Sequence, residues 1–289
     1  MYTKILVSLD GSKLSEQVLP YARLIAEGFH IPVELLRVND PDIITAFAPP
    51  LQGGDYLKDV SRRYLSTARS VDCVVEMGKP AQIIVERAAA DRGAVIAMAT
   101  HGLSGMQRWL MGSVANKVVR TAKNPILLVR PAEKGDPLEP IKFKTLLAPL
   151  DGSALAEKVF PHLIALAKTW DGEVNLVRVY ALPAESFVVA DGLHMDVLSR
   201  ERETIRNEAE EYLNGKTQEL QAEGLRRVIS IATEGHAAGE IIDLARRTPD
   251  CLIVMSTHGR TGIERWTLGS VAEKVIHHSR EPVLVIPPE

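Results

Sequence analysis

THGLSGMQRWLMGSVANKVV, residues 100–119, and THGRTGIERWTLGSVAEKVI, residues 257–276, decide how this 289-residue chain is read. Twelve of the twenty positions are identical, where unrelated segments share about one, and the separation is far too long for a solenoid repeat. The chain is a tandem duplication. Working outward, KILVSLDGS (4–12) pairs with TLLAPLDGS (145–153), and VELLRV (33–38) with VNLVRV (174–179). These pairs are offset by 141 residues and the Gly-rich blocks by 157, so the second copy carries sixteen extra residues between its second and third strands. The run 197–223, rich in Glu, Arg, Leu and Ala, predicts a lengthened helix there, with Gly224 as its C-terminal stop.

Each copy alternates short apolar runs with helical patterns. In the first copy strands are predicted near 4–9, 33–38, 71–77, 94–98 and 126–129, nearly continuous in apolar residues, as strands buried on both faces are. Helices are predicted near 13–28, 55–69, 81–91 and 113–122, which gives a doubly wound α/β layer fold with a five-stranded parallel sheet in each copy. Pro20 and Pro161 fall inside the first helix of each copy, where they predict a bend. Between the copies, PAEKGDPLEP (131–140) resists packing and reads as a linker, with domains at 1–132 and 141–289 joined through 133–140.

Composition removes several function classes. With 46% apolar and 25% charged residues the chain supports a sizeable core and is not disordered. Acidic residues exceed basic ones by three and aromatics make up 5%, so neither phosphate neutralisation nor base stacking argues for a nucleic-acid partner. The charge is unevenly divided: Lys plus Arg against Asp plus Glu is 17 against 14 over 1–136 and 17 against 23 over 137–289. Cys73 and Cys251 are the only cysteines, which excludes a disulfide framework and suits a reducing compartment. The N-terminal apolar stretch is too short for a signal peptide and no segment has the ~20 apolar residues of a membrane span. The expectation is a soluble, cytoplasmic protein.

In an open parallel sheet ligands bind outside the carboxyl ends of the strands, where strand order reverses. The first strand ends in Asp10-Gly11-Ser12 and its copy in Asp151-Gly152-Ser153; the fourth ends in Ala99-Thr100-His101-Gly102 and its copy in Ser256-Thr257-His258-Gly259. Ten residues further on, Gly112-Ser113 and Gly269-Ser270 open the last helix of each copy. Such a pair offers backbone N–H groups, a hydroxyl and the positive end of the helix dipole, the outline of a phosphate cradle. The P-loop pattern G-x-x-x-x-G-K-[ST] and the dinucleotide fingerprint G-x-G-x-x-G after the first strand are both missing, which points to binding without efficient turnover.

On these motifs the whole chain outside the linker resembles a tandem universal stress protein: a DGS turn after the first strand, G-[ST] ten residues after a glycine, then GSVAxKV and the closing PILLVRP and PVLVIPP segments. The resemblance implies strand order 3-2-1-4-5 and ATP or a related adenine nucleotide, with or without Mg²⁺, over the ends of the first and fourth strands. It implies a site of Asp10, Val38, Met98, Ala99, Gly102, Gly112, Ser113 and Val114 in the first copy. In the second the matching residues are Asp151, Val179, Met255, Ser256, Gly259, Gly269, Ser270 and Val271. The aspartates would approach the ribose or a phosphate-bound metal, the backbone of Val38 and Val179 would read adenine, and the Gly-Ser pairs would hold phosphates. The family's first motif glycine is Ala99 in one copy and Ser256 in the other; a Cβ there weakens the site where the backbone abuts the nucleotide or needs positive φ, and is harmless otherwise. Ser8 facing Pro149 is a further difference beside the site.

Each motif has a plainer reading. Gly-Ser at a helix start is often a simple cap, although its doubled spacing favours phosphate. Asp10 and Asp151 serve equally as Asx-turn acceptors, a role compatible with ligand contact. His101 and His258 have no partner legible in sequence, and a turn or ligand-orienting role is favoured over a general base. No histidine spacing builds a metal site, and Arg108 and Arg265, each followed by Trp, fit helix-covering stems better than phosphate ligands. The function expected is a nucleotide-binding regulatory stress protein acting on an unidentified protein partner. The alternatives are an interaction scaffold with vestigial sites and a slow metal-assisted ATPase. Pairing through the last strands, near 126–129 and 283–286, would mimic a dimer within one chain, and a homodimer of chains is a further expectation.

Overall fold

The structure is a computed structural model that describes residues 1–42, 53–102, 111–132, 141–182, 195–257, 259 and 268–288. The expected linker 133–140, His258, Arg108 with Trp109, and Arg265 with Trp266 lie outside the described residues. Two compact units are present: one holds Met1–Lys142 and the stretch from Ile276 on, the other runs from Phe143 and includes Gly269–Val275.

In the first unit the elements run β1 (Lys4–Ser8), α1 (Lys13–Glu16), α2 (Leu19–Phe29), β2 (Val33–Asn39), α3 (Gly53–Tyr64), β3 (Val71–Met77), α4 (Pro80–Ala89), β4 (Ala94–Ala99), α5 (Ser113–Thr121) and β5 (Ile126–Val129). The strands lie in the order β3-β2-β1-β4-β5, all parallel. This is the doubly wound order, reversing between β1 and β4. The chain's final strand, β10 (Val283–Ile286), clusters with this unit and runs antiparallel to β5, with Val283 opposite Leu128. The central strands are apolar throughout because both faces are covered: every residue of β4 is buried, and Ile5, Leu6 and Val7 have no exposed surface.

The second unit repeats the pattern with β6 (Thr145–Pro149), α6 (Ala154–Glu157), α7 (Phe160–Trp170), β7 (Glu173–Tyr180), α8 (Met195–Ala222), β8 (Val228–Glu234), α9 (Ala237–Arg247), β9 (Cys251–Ser256) and α10 (Ser270–His278). Its strands lie in the order β9-β6-β7-β8, again parallel. The sixteen extra residues sit in α8, which has 28 residues where α3 has 12. Gly224 does stop it, at φ +94°, with the Leu225 N–H returning to the Leu220 carbonyl at 3.1 Å.

The first helix of each copy departs from expectation. It is two helices rather than one bent helix: α1 ends at Glu16, the Gln17 and Val18 amides turn back onto Leu14 and Ser15, and α2 starts afresh with Pro20 in its first turn. Pro161 sits likewise at the start of α7. Proline has no N–H to lose at that position and its φ suits a helix start, so the residue marks a beginning. Helix α3 also ends at Tyr64, short of the predicted 69, where the Ala68 amide closes a turn onto the Leu65 carbonyl.

Candidate functional site

The two DGS turns are built alike. Ser12 N–H and Oγ donate to Asp10 Oδ1 at 2.9 and 2.6 Å, and Ser153 N–H and Oγ donate to Asp151 Oδ1 at the same distances. Each serine also caps the helix that follows, accepting from Ser15 N–H at 3.1 Å or Ala156 N–H at 3.2 Å. The glycine between has φ +92° at Gly11 and +87° at Gly152, the left-handed region that a side chain disfavours.

With Oδ1 committed to the turn, Oδ2 of each aspartate lies against the loop after the fourth strand. A Cβ at Gly102 would fall 1.8 Å from Asp10 Oδ2, and one at Gly259 would fall 2.2 Å from Asp151 Oδ2. Only glycine lets the two loops meet at the point where strand order reverses. Beyond it, Gly112 N–H donates to the Thr100 carbonyl and Gly269 N–H to the Thr257 carbonyl, both at 2.8 Å, which brings the start of α5 or α10 back over the strand end. Gly112 provides no side-chain cap, and Ser113 and Ser270 are exposed at the first helical position. The helix-start amides therefore face the crevice with the positive end of the helix dipole behind them.

In the second unit these groups surround a cavity of about 220 Å³. Asp151, Val179, Met255, Ser256, Gly259, Gly269, Ser270 and Val271 all line it. The cavity also takes Pro149, Leu150, Val177, Ala237 and Ile241, which the sequence reading did not place there as ligand contacts. Val177 and Val179 share one face of β7, and Ala237 and Ile241 one face at the start of α9; both pairs carry the period of their element and read in sequence as ordinary core. In the first unit Asp10, Val38, Met98, Ala99, Gly102, Gly112, Ser113 and Val114 hold the matching places at the ends of β1, β2 and β4 and the start of α5.

Ala99 and Ser256 are the last residues of β4 and β9, buried within strands. The non-glycine residues with positive φ among those described are His30, Asp171 and Asp250, so neither Ala99 nor Ser256 is forced into a glycine-only conformation. His101 Nδ1 lies 2.9 Å from Thr100 Oγ1, inside the strand-end turn. Among the described residues no group of three or more His, Cys, Asp or Glu could hold a metal ion unaided.

A carboxylate network braces the far side of each DGS turn. Glu16, 1% exposed, accepts from Lys13 Nζ at 2.8 Å, Tyr64 Oη at 3.2 Å and Tyr56 Oη at 3.3 Å. Glu157 accepts from Tyr212 Oη at 2.9 Å and Lys216 Nζ at 2.8 Å. Arg37 stacks on the Tyr56 ring at 5.4 Å and reaches the Gly11 turn, and Arg178 stacks on Tyr212 at 4.7 Å. Burial first, and the neighbouring carboxylate second, push the Tyr56 and Tyr212 hydroxyls above their ordinary pKa, keeping both as donors.

The units differ in how far the strands flanking the switch point are tied. The β1–β4 ladder runs from Lys4–Ala94 to Ser8–Met98, whereas the β6–β9 ladder runs only from Thr145–Cys251 to Leu147–Ile253. In β1 the N–H groups of Ile5 and Leu9 donate toward β2, so alternation turns that of Ser8 toward β4; in β6 Leu150 N–H donates to Val177 at 2.7 Å, which turns the nitrogen of residue 149 toward β9. That residue is proline, with no N–H to give, and both missing register pairs would be closed by that one bond.

A doubly wound sheet with glycines and a helix start converging on its switch point defines an α/β protein of the doubly wound class, here in duplicate. The chain belongs to the universal stress protein family, whose model matches residues 1–130 and 142–287. It is similar to a universal stress protein of Methanocaldococcus jannaschii, 36% identical over 144 residues covering 50% of this chain and 82% of the relative. Over its full length it is similar to one of Mycobacterium tuberculosis, 24% identical over 296 residues covering 97% and 96% of the two chains. A crystal structure of a universal stress protein from Archaeoglobus fulgidus superposes with TM-score 0.66 at 20% identity, covering 98% of this chain and 96% of that one. A Pseudomonas aeruginosa structure described as functionally unknown superposes with TM-score 0.67 at 21% identity, covering 99% and 93%. The full-length matches agree with the tandem two-domain organisation. Among the described residues no helix is long and apolar enough to cross a membrane.

Proposed function

We propose that this protein is a regulatory nucleotide binder whose two halves, 1–132 and 141–289, each take ATP or a related adenine nucleotide at the switch point. The observation that carries the reading is the cavity of the second half, where an apolar wall, a carboxylate and a helix start converge. Val177, Val179, Ala237, Ile241 and Met255 offer a slot for a flat heterocycle, with the polar edge read by the backbone near Val179. Asp151 Oδ2 would accept from a ribose hydroxyl, and the amides after Gly269 with the Ser270 hydroxyl would donate to phosphate oxygens. A magnesium ion would be carried in on the phosphates.

Turnover is not supported by this arrangement. Among the described residues that line the cavity there is no lysine or arginine to take up charge on a transferring phosphoryl group, and Asp151 Oδ1 is held by its own turn. Binding at the switch point would change the surface offered to a protein partner. The test is extraction of the purified protein followed by chromatography and mass spectrometry, with ATP titrated into stripped protein. An adenine nucleotide in the extract and saturable rebinding are expected; an empty extract together with no binding at millimolar ATP would refute the reading.

A further inference from the structure

We infer that Pro149 sets the two nucleotide sites apart and makes the second half the tighter one; the inference rests on the function proposed above. A ligand at the switch point is seated over the ends of the first and fourth strands, so the ease with which those ends adjust to it enters its affinity. In the first half Ser8 ties β1 to β4 through its N–H, and that bond holds the last two register pairs, Val7–Ala97 and Ser8–Met98. In the second half proline supplies no N–H, the ladder stops at Leu147–Ile253, and Pro149, Leu150, Met255 and Ser256 line the cavity mouth from both strands. Any adjustment of the strand ends in the first half works against the Ser8 N–H bond to β4; in the second half Pro149 supplies no such bond. Proline also presents an apolar ring where the first half has a hydroxyl. The expected difference is the net worth of one backbone hydrogen bond, roughly two- to tenfold in dissociation constant.

The experiment is calorimetric titration of ATP into stripped full-length protein, with the sites assigned by Gly102→Val and Gly259→Val. The wild type should show a tighter site that Gly259→Val removes. Pro149→Ala and Pro149→Ser, which both restore the N–H, should weaken that site by roughly two- to tenfold to a similar extent, and Ser8→Pro should strengthen the first. Hydrogen exchange on the ligand-free Pro149→Ala protein supplies a readout independent of nucleotide: the new amide at position 149 should be protected by its bond to β9. Two sites of equal affinity in the wild type would overturn this inference and leave the proposed function standing. So would a protected amide at position 149 with unchanged affinity, or an unprotected one. Absence of any binding in the wild type would overturn both.

Discussion

The two halves share one chemistry at their DGS turns and differ around it. Asp10 and Asp151 hold their serines with matching hydrogen bonds of 2.9 and 2.6 Å. Behind that turn Glu16 is sealed under two tyrosines, whereas Glu157 keeps 26% of its side chain exposed beside Tyr212 and Lys216. Along the second strand Glu34, buried among Lys4 and Arg87, becomes Asn175. Duplication kept the DGS turns and the glycines that meet them and let their surroundings drift, Pro149 and Ser256 at the crevice included. The repeat therefore acts as an internal control, because the same substitution in each half tests the same geometry in a different setting.

The largest expected effect should not distinguish the halves. Leu6 and Leu147 occupy equivalent central positions with no exposed surface, so Leu6→Ala and Leu147→Ala should each cost about 3 kcal/mol in denaturant unfolding. A difference of more than about 1 kcal/mol between them would show that the cores no longer correspond. Next, Gly259→Val and Gly102→Val drive a side chain into the aspartate carboxylate, and each should weaken nucleotide binding at its own site by roughly a hundredfold, about 2.7 kcal/mol, with the fold intact by circular dichroism. Unaltered titrations would remove Asp10 and Asp151 from the site.

Glu16→Gln should destabilise the first half by about 1–2 kcal/mol, because it removes the charge from a sealed acceptor of three donors. Glu157→Gln, more exposed, should cost less than about 1 kcal/mol; equal costs would contradict the difference in burial. The smallest effect belongs to pH. Burial lowers the His162 imidazole to about 4, and the matching residue in the first half is Tyr21 rather than a histidine. The folded pKa lies below the unfolded one, so the neutral folded form is favoured above the unfolded value. Stability should fall as pH drops from about 6.5 toward 4, by about 1 kcal/mol at pH 5.5, and His162→Phe should flatten that slope. An unchanged slope in the variant would move the titration elsewhere.

Much of this was legible in the sequence because the duplication printed each signal twice. The strand ends, the long helix of the second copy and the Gly224 stop follow from offsets and composition alone. Pro20 and Pro161 were misread as bends because their periodic neighbours continue the helical pattern across a break that only the Gln17 and Val18 amides reveal. Ala237 and Ile241 were invisible as site residues because an apolar wall for a ligand has the same spacing as an apolar wall for a core. The Ser8 and Pro149 difference was visible as letters, but its meaning depended on which way the nitrogen faces, and that is a matter of register.

The central claim is that an adenine nucleotide binds at these switch points, and calorimetry of ATP with stripped wild-type protein beside the Gly102→Val, Gly259→Val double variant tests it most directly. Saturable binding is expected in the wild type, carried mainly by the site that Gly259→Val weakens, with binding roughly a hundredfold weaker in the double variant. Equal heats from both proteins, or none from either at millimolar ATP, would contradict it.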